Sequence, residues 1–211
     1  KKGPTDFVSN ADLKAEKIII EELKKAKPNY SILSEEGGTE LNKDKNNTWI
    51  IDPIDGTLNF LHGIPHFAIS IALKSNDEIV SGLIFDPIKN EMFYAEKDNG
   101  SFFNNSRIRV SKKNNINDCL FVTGGKINKE LNIQYRKSGS AALDMAYVAA
   151  GRYDGYFQRK LNLWDIAAGI ILVKEAGGII KDIDLSQSEN LDVIVSSPDI
   201  HHKMIEIIDN F

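Results

Sequence analysis

An α/β protein is what the 211-residue sequence predicts, on three observations. Short apolar runs broken by Asn, Asp, Gly and Pro fill residues 66–110, the pattern of an antiparallel meander packed against helices. After residue 119 strands alternate with apolar helical stretches, as in an α/β layer. Between the N-terminal helix and the meander, the apolar run Trp49-Ile50-Ile51 leads straight into Asp52-Pro53-Ile54-Asp55-Gly56-Thr57, so a buried strand ends in two carboxylates.

The elements follow in order. Residues 9–25 read as a helix, with Ser9 or Asn10 as cap, an apolar stripe through Leu13, Ile20 and Leu23, and lysines in the last turn. Pro28 closes it, and Ser31-Ile32-Leu33 is a short strand leading to Ser34-Glu35-Glu36-Gly37-Gly38. Residues 39–47 are polar and read as a loop, followed by the 49–51 strand and the Asp-Pro turn. Strands at 66–74 and 78–85 flank the turn Ser75-Asn76-Asp77, and Asp86-Pro87 ends the second. Further strands are expected at 91–96 and 107–110, with Asp98-Asn99-Gly100 as a turn. Then come a strand at 119–123, a small-residue helix at 140–150 ending at Gly151, and a strand at 153–157. An apolar helix at 164–176 stops at Gly177-Gly178. Strands at 179–183 and 193–195 and a helix from Pro198 finish the chain. A soft boundary in the Lys112–Asn117 stretch divides it into 1–115, with the meander, and 116–211, the α/β part.

Bulk properties exclude some functions. The sequence is 42% hydrophobic and 27% charged, with a net charge of −4 and a pI near 5.6, so nothing points to a nucleic-acid or anionic-membrane surface. The pair Lys112-Lys113 is too short to alter that and reads as a solvated loop. No apolar run nears the ~20 residues that span a bilayer, and no signal peptide is seen, although the sequence opens at Lys1 without a Met. The single cysteine, Cys119, lies in an apolar run and reads as a buried core thiol, consistent with a reducing, cytoplasmic setting.

The carboxylates carry the chemistry. Asp-Pro-x-Asp-Gly is good turn chemistry, and alone it reads as a surface turn. Asp165, after Trp164 at a helix start, alone reads as a helix cap or dipole partner. Asp12 sits early in the first helix, and Glu35 ends a short strand before two glycines. Taken together, Glu35, Asp52, Asp55 and Asp165 form an acidic set that a core keeps only with cations, since buried carboxylates are paired or bound to metal. Hard cations such as Mg²⁺ take oxygen ligands from one or two carboxylates plus a substrate phosphate.

Two long segments then carry a resemblance: Trp49-Ile50-Ile51-Asp52-Pro53-Ile54-Asp55-Gly56-Thr57-Leu58-Asn59-Phe60, and Leu163-Trp164-Asp165-Ile166-Ala167-Ala168-Gly169 continuing to Glu175-Ala176-Gly177-Gly178. Supporting them are Lys1 with Asp6-Phe7-Val8 and Asp12, then Ser34-Glu35-Glu36, then Gly139-Ser140-Ala141-Ala142-Leu143-Asp144. In these the chain resembles the inositol monophosphatase family, most of all its bacterial branch. The resemblance implies an α+β fold of α-β-α-β-α layers, with a mostly antiparallel sheet in the first half and a mixed one in the second. It implies two or three Mg²⁺ ions: Glu35, Asp52 and the Ile54 carbonyl at the first, Asp52, Asp55 and Asp165 at the second, and Glu35 at a weaker third. Thr57, oriented by Asp12, would position and help deprotonate water. Amides around Gly56 and Thr57 would hold phosphate, Gly139, Ser140 and Ala141 would line the sugar-alcohol pocket, and Lys1 would lie near the metals. A homodimer and inhibition by Li⁺ are implied as well.

Three departures accompany the resemblance. The sequence opens just before the Asp6 segment, without the family's first helix, and is short between Thr123 and Tyr135. Gln158 stands where the family commonly has a glutamate that accepts from a substrate hydroxyl, which bears on substrate choice. The function expected is Mg²⁺-dependent hydrolysis of small phosphomonoesters, with inositol phosphates first. Fructose 1,6-bisphosphate, histidinol phosphate and 3′-phosphoadenosine compounds are alternative substrates. A regulatory protein that binds RNA or the transcription machinery is an alternative of another class; it requires an exposed basic face.

Overall fold

The structure is a computed structural model that describes residues 10–127 and 131–208. Two sheets form its frame. The first has eight strands: β1 (Tyr30–Ser34), β2 (Gly38–Glu40), β3 (Asp44–Asp55), β4 (Ala68–Ser75), β5 (Glu78–Asp86), β6 (Glu91–Glu96), β7 (Gly100–Phe103) and β8 (Ser106–Arg107). Their order is β2-β1-β3-β4-β5-β6-β7-β8, antiparallel except where β1 runs parallel to β3. The second sheet has five: β9 (Leu120–Val122), β10 (Gln134–Arg136), β11 (Gly155–Leu161), β12 (Ile179–Ile180) and β13 (Leu191–Ser196). Their order is β10-β9-β11-β13-β12, parallel on the β10-β9-β11 side and antiparallel on the other.

Among the described residues five α-helices complete the layers: α1 (Asn10–Ala26), α2 (Thr57–Leu61), α3 (Ala141–Ala149), α4 (Leu163–Glu175) and α5 (His201–Ile208). Helices α3 and α4 lie between the sheets, and their Ala, Leu, Ile and Val residues fill the main core with Ile50, Ile84 and Phe93 of the first sheet and Val122, Tyr156 and Val195 of the second. Period-two alternation then assigns the outer faces. Phe121 and Phe157, neighbours in sequence of Val122 and Tyr156, point the other way and pack with Ile200, Met204 and Ile208 under α5. Helix α1 packs against β1 and β3. The result is the expected α-β-α-β-α order.

The local differences from expectation have physical causes. Residues 39–47 are not all loop, because β2 and the start of β3 occupy part of them. Strand β2 is exposed throughout, so it lacks the apolar alternation by which strands are read. The strand expected at 107–110 is instead the β7–β8 hairpin, turned at Asn104 (φ 41°) and Asn105 (φ 69°). Two adjacent positive φ angles suit a tight two-residue hairpin, and Asn tolerates them. Leu13 is 51% exposed rather than part of a buried stripe; the buried residues of α1 are Asp12 and Glu16. Strand β12 stops at Ile180, and the short elements α2 and β10 were not expected. Ser9 lies outside the described residues. Cys119 is buried as expected, its thiol donating to the Asn115 carbonyl at 3.2 Å and pushed up to about 11 by burial.

The seam between α4 and the first sheet is close enough to require glycine. A Cβ on Gly82 would meet the Ile171 Cγ2 at 2.6 Å and the backbone of Ala168 at 2.9 Å. Gly82→Ala is therefore expected to cost about 1–3 kcal/mol. The check is a urea melt, in which the midpoint falls while the slope holds. An unchanged midpoint would mean that α4 can move off the sheet freely.

Candidate active site

The site begins with a bulge. Residues three apart on a regular strand face opposite sides, so Asp52 and Asp55 would point away from each other. Strand β3 avoids this. Asp52 pairs with Ser70 of β4 and Asp55 with Ala68, so three steps on β3 match two on its partner. The extra residue flips the phase and returns Asp55 to the side of Asp52. Pro53 belongs here because it has no N–H to place in a ladder, and bulges tolerate it. The expected turn at Asp52-Pro53 is thus a continuing, bulged strand. The Asp52 carboxylate accepts the Ile54 N–H at 3.0 Å, which fixes the bulge. The actual turn comes at Gly56, whose φ of 96° admits glycine far more readily than other residues, and α2 starts at once.

Asp165 arrives from the central layer. It is the third residue of α4, and its carboxylate accepts the Asn162 N–H at 2.8 Å, closing a capping box. The capping role and the cluster role are both real. Carboxylate oxygens of Asp52, Asp55 and Asp165 all lie within 4.8 Å of one another, the first two residues buried and the third partly so. Glu35 joins from the end of β1. Its N–H donates to the Ile51 carbonyl at 3.2 Å, and its carboxyl is in hydrogen-bonding reach of Asp52.

The electrostatics are those of crowded acids. Burial, then the charges of Glu35, Asp55 and Asp165, hold the Asp52 carboxyl well above the usual carboxylate range. Burial pushes Asp165 up to about 8, with the Asp55 charge adding to it and the Asn162 amide opposing. Asp55 rises to about 6 through burial, opposed by hydrogen bonds from Ser140, Ala142 and Ala141. Such groups need protons or cations between them. An all-oxygen donor set of this kind fits a hard divalent cation.

The other expected residues fall around this cluster. The Thr57 hydroxyl lies 3.0 Å from the Ile54 carbonyl and 3.4 Å from a carboxylate oxygen of Asp12. Its single proton serves one of these acceptors at a time, which leaves its lone pairs to accept a hydrogen bond from a third group. Ser140 and Ala141 are buried, and they hold Asp55. The Ser140 hydroxyl donates to Asp55 Oδ2, the Ala142 N–H to the same oxygen at 2.8 Å, and the Ala141 N–H to Oδ1 at 3.3 Å. Gly139 is exposed and packs on the Asn59 amide, which a Cβ there would approach to 2.9 Å. Gln158 is tied down within the protein: its carbonyl oxygen accepts from the Gly124 N–H at 2.8 Å and the Tyr156 hydroxyl at 2.9 Å. Lys1 and Asp6 lie outside the described residues.

Sequence reasoning missed two contributors. Asn59 donates to the His66 carbonyl at 2.8 Å and the Ser138 carbonyl at 2.9 Å, lacing α2 to the loop before α3. Asp144, only 1% exposed, accepts from the Ser138 hydroxyl at 2.6 Å. A polar residue in an otherwise apolar helix was the available signal for each. A cleft of about 360 Å³ between β11, β13 and the 181–192 segment does not include Asp52, Asp55 or Asp165.

Comparison with known proteins decides the lineage. The sequence profile described as the inositol monophosphatase family matches residues 1–210. The chain belongs to that family. It is 42% identical to the inositol-1-monophosphatase of Caulobacter vibrioides, over 98% of this chain and 88% of that one. It is also 42% identical to the Nus factor SuhB of Xylella fastidiosa, over 91% and 74% of the two chains. The crystal structure of the extragenic suppressor protein suhB from Bartonella henselae superposes with a TM-score of 0.90 at 43% identity, covering 98% of this family member and 86% of that chain.

The raised acids give a pH dependence in the metal-free protein. Asp55 (about 6) and Asp165 (about 8) lie above the ~3.9 of an unfolded aspartate. The fold therefore favours their protonated forms, and that stabilisation is lost as pH rises through those two values. In chelator the melting temperature should fall between about pH 5.5 and about pH 8.5, and Mg²⁺ should restore more of it at the higher pH. An equal Mg²⁺ increment at both pH values would count against a cation replacing protons in this cluster.

Proposed function

We propose that this family member is a Mg²⁺-dependent phosphomonoesterase of small sugar-alcohol or sugar phosphates, with inositol monophosphate as the leading substrate. The observation that carries the reading is the trio of aspartate oxygens within 4.8 Å of one another. The Thr57 hydroxyl, with its proton directed at Ile54 or Asp12, stands at the start of α2, directly after the bulged strand. Relatives named inositol-1-monophosphatase support the substrate class.

In this reading Glu35, Asp52, Asp55, Asp165 and the Ile54 carbonyl hold two or three Mg²⁺. Bound Mg²⁺ supplies charge neutralisation for the phosphoryl group and acidifies water. Thr57 accepts a hydrogen bond from the attacking water, and as that water gives up its proton to the Thr57 oxygen the hydroxyl proton passes to the Asp12 carboxylate that orients it. Amides at Gly56 and Thr57 receive phosphate oxygens, and Gly139 lines the substrate side. Division into 1–115 and 116–211 then gives most ligands to the first part and Asp165 to the second. Dimerisation, Li⁺ inhibition and a cytoplasmic location belong to the same proposal. Among the described residues no helix is long and apolar enough to cross a membrane.

A second reading, binding to RNA or the transcription machinery, is favoured by the relatives named Nus factor SuhB. One lysine of the Lys112-Lys113 pair is already committed: Lys113 bonds the buried Asp154 carboxylate at 2.9 Å.

Two variants test the main reading together. Asp52→Asn should lose nearly all turnover and Mg²⁺ response while remaining folded by circular dichroism. Thr57→Ala should lower kcat about 10²–10⁴-fold, the usual scale of general acid–base help, with Mg²⁺ half-saturation nearly unmoved. Parent-like turnover in Asp52→Asn would remove the metal assignment.

Gln158 tunes the substrate. With its oxygen occupied by two donors, the amide has only N–H groups left to offer, and these suit an acceptor such as an anionic group. A glutamate would keep one oxygen for those donors and free another for a substrate hydroxyl, at about 1.5–3 kcal/mol for a charged hydrogen bond. Gln158→Glu is expected to raise kcat/KM for inositol monophosphate relative to fructose 1,6-bisphosphate by about tenfold or more. A ratio that does not move would deny Gln158 any part in selection.

A further inference from the structure

Asp144 is costly where it stands. It is 1% exposed within α3, beside Leu143, Met145 and Ala146, all at 0%. Its Oδ1 accepts the Ser138 hydroxyl, while Oδ2 is buried with no hydrogen-bond partner among the described residues. A half-satisfied buried carboxyl destabilises a fold, and an apolar or smaller residue in its place is often neutral or better.

Its one bond leads toward the aspartate cluster. Ser138 donates to Asp144 at 2.6 Å, and the same hydroxyl oxygen accepts the Ser140 N–H at 3.2 Å. Ser140 in turn donates its side-chain hydroxyl to Asp55, and the α3 amides that follow it complete the grip on that carboxylate. The Ser138 carbonyl accepts from Asn59, two residues after Thr57. A single buried anchor thus fixes the 138–140 loop, and the loop fixes both Asp55 and the base of α2.

The geometry points to Asp144 as a positioning residue that, through Ser138 and Ser140, holds Asp55 in the orientation that binds a divalent cation. It touches neither the cation nor the substrate. The bland alternative is a local helix-start contact that contributes stability alone. The inference rests on the metal-binding reading of the cluster, and the experiment separates the two.

The readout is the Mg²⁺ concentration giving half of the maximal thermal shift, measured without substrate. Ser138→Ala and Asp144→Ala should each raise it about tenfold, the lower end for groups that orient metal ligands. The double variant should match the singles, because both break one chain of contacts. Ser138→Thr, which keeps the hydroxyl, should stay near the parent value. In chelator, Asp144→Ala should melt at or above the parent temperature, since it removes the unpartnered oxygen. A purely structural contact would instead lower that temperature and leave the Mg²⁺ midpoint alone, overturning the inference. Additive single effects, or Ser138→Thr behaving like Ser138→Ala, would overturn it too. If the parent gives no Mg²⁺ shift, the metal reading falls and takes this one with it. If the parent shifts and Ser138→Ala matches it, only the positioning role falls.

Discussion

Like charges held close together, out of water, are the constraint on which this molecule is built. Three aspartate oxygens within 4.8 Å, with Glu35 beside them, oppose folding unless something positive or protic separates them. Each nearby element contributes to tolerating that arrangement. The bulge in β3 sets two of the acids on one side. The start of α4 supplies the third as part of its own cap, and the start of α3 turns amides and a hydroxyl toward Asp55. The apolar mass lies in the layer behind, where α3 and α4 fill the space between the sheets, so the polar segments meet at one end of a rigid block.

That arrangement divides labour between helix interiors and helix ends. The bodies of α3 and α4 are almost wholly apolar and do the packing. Their first turns carry unsatisfied N–H groups that suit anions. Placing Asp55 at one helix start and Asp165 within another uses the same backbone property twice, once across the chain and once inside a helix. Gly82 shows the corresponding demand on the frame, since its missing side chain lets α4 sit close against the first sheet.

Much of this was legible in the sequence. Apolar runs and turn residues located α1, β1, β4, β5, β6, α3 and α4, because buried elements leave a periodic trace. Strand β2 left none, being exposed on both faces, and the Asn104-Asn105 hairpin hid behind residues commoner in loops. The acids were legible as types. Their convergence was not, because the flip of phase at Pro53 depends on pairing with β4, a long-range fact. The same limit applied to Ser140: the resemblance implied a place at the substrate pocket, while the bond from its hydroxyl to Asp55 comes from folding alone. Gln158 could be weighed as a substitution, but the bonds from Gly124 and Tyr156 that occupy its oxygen come from folding alone.

Helix α1 is attached in an unusual way. Its two buried side chains are acids: Asp12, at 3.4 Å from the Thr57 hydroxyl, and Glu16, which accepts the Glu36 N–H at 3.1 Å. Leu13 and Ile18 face outward, at 51% and 61% exposure. A helix seated on grease stays put whatever ions are present, because apolar burial has no charge to be screened or matched. One seated by carboxylates does not, since its grip varies with the local field. The seat of the first helix is therefore part of the site's own electrostatics: what balances the acids beneath it also bears on how the helix is held.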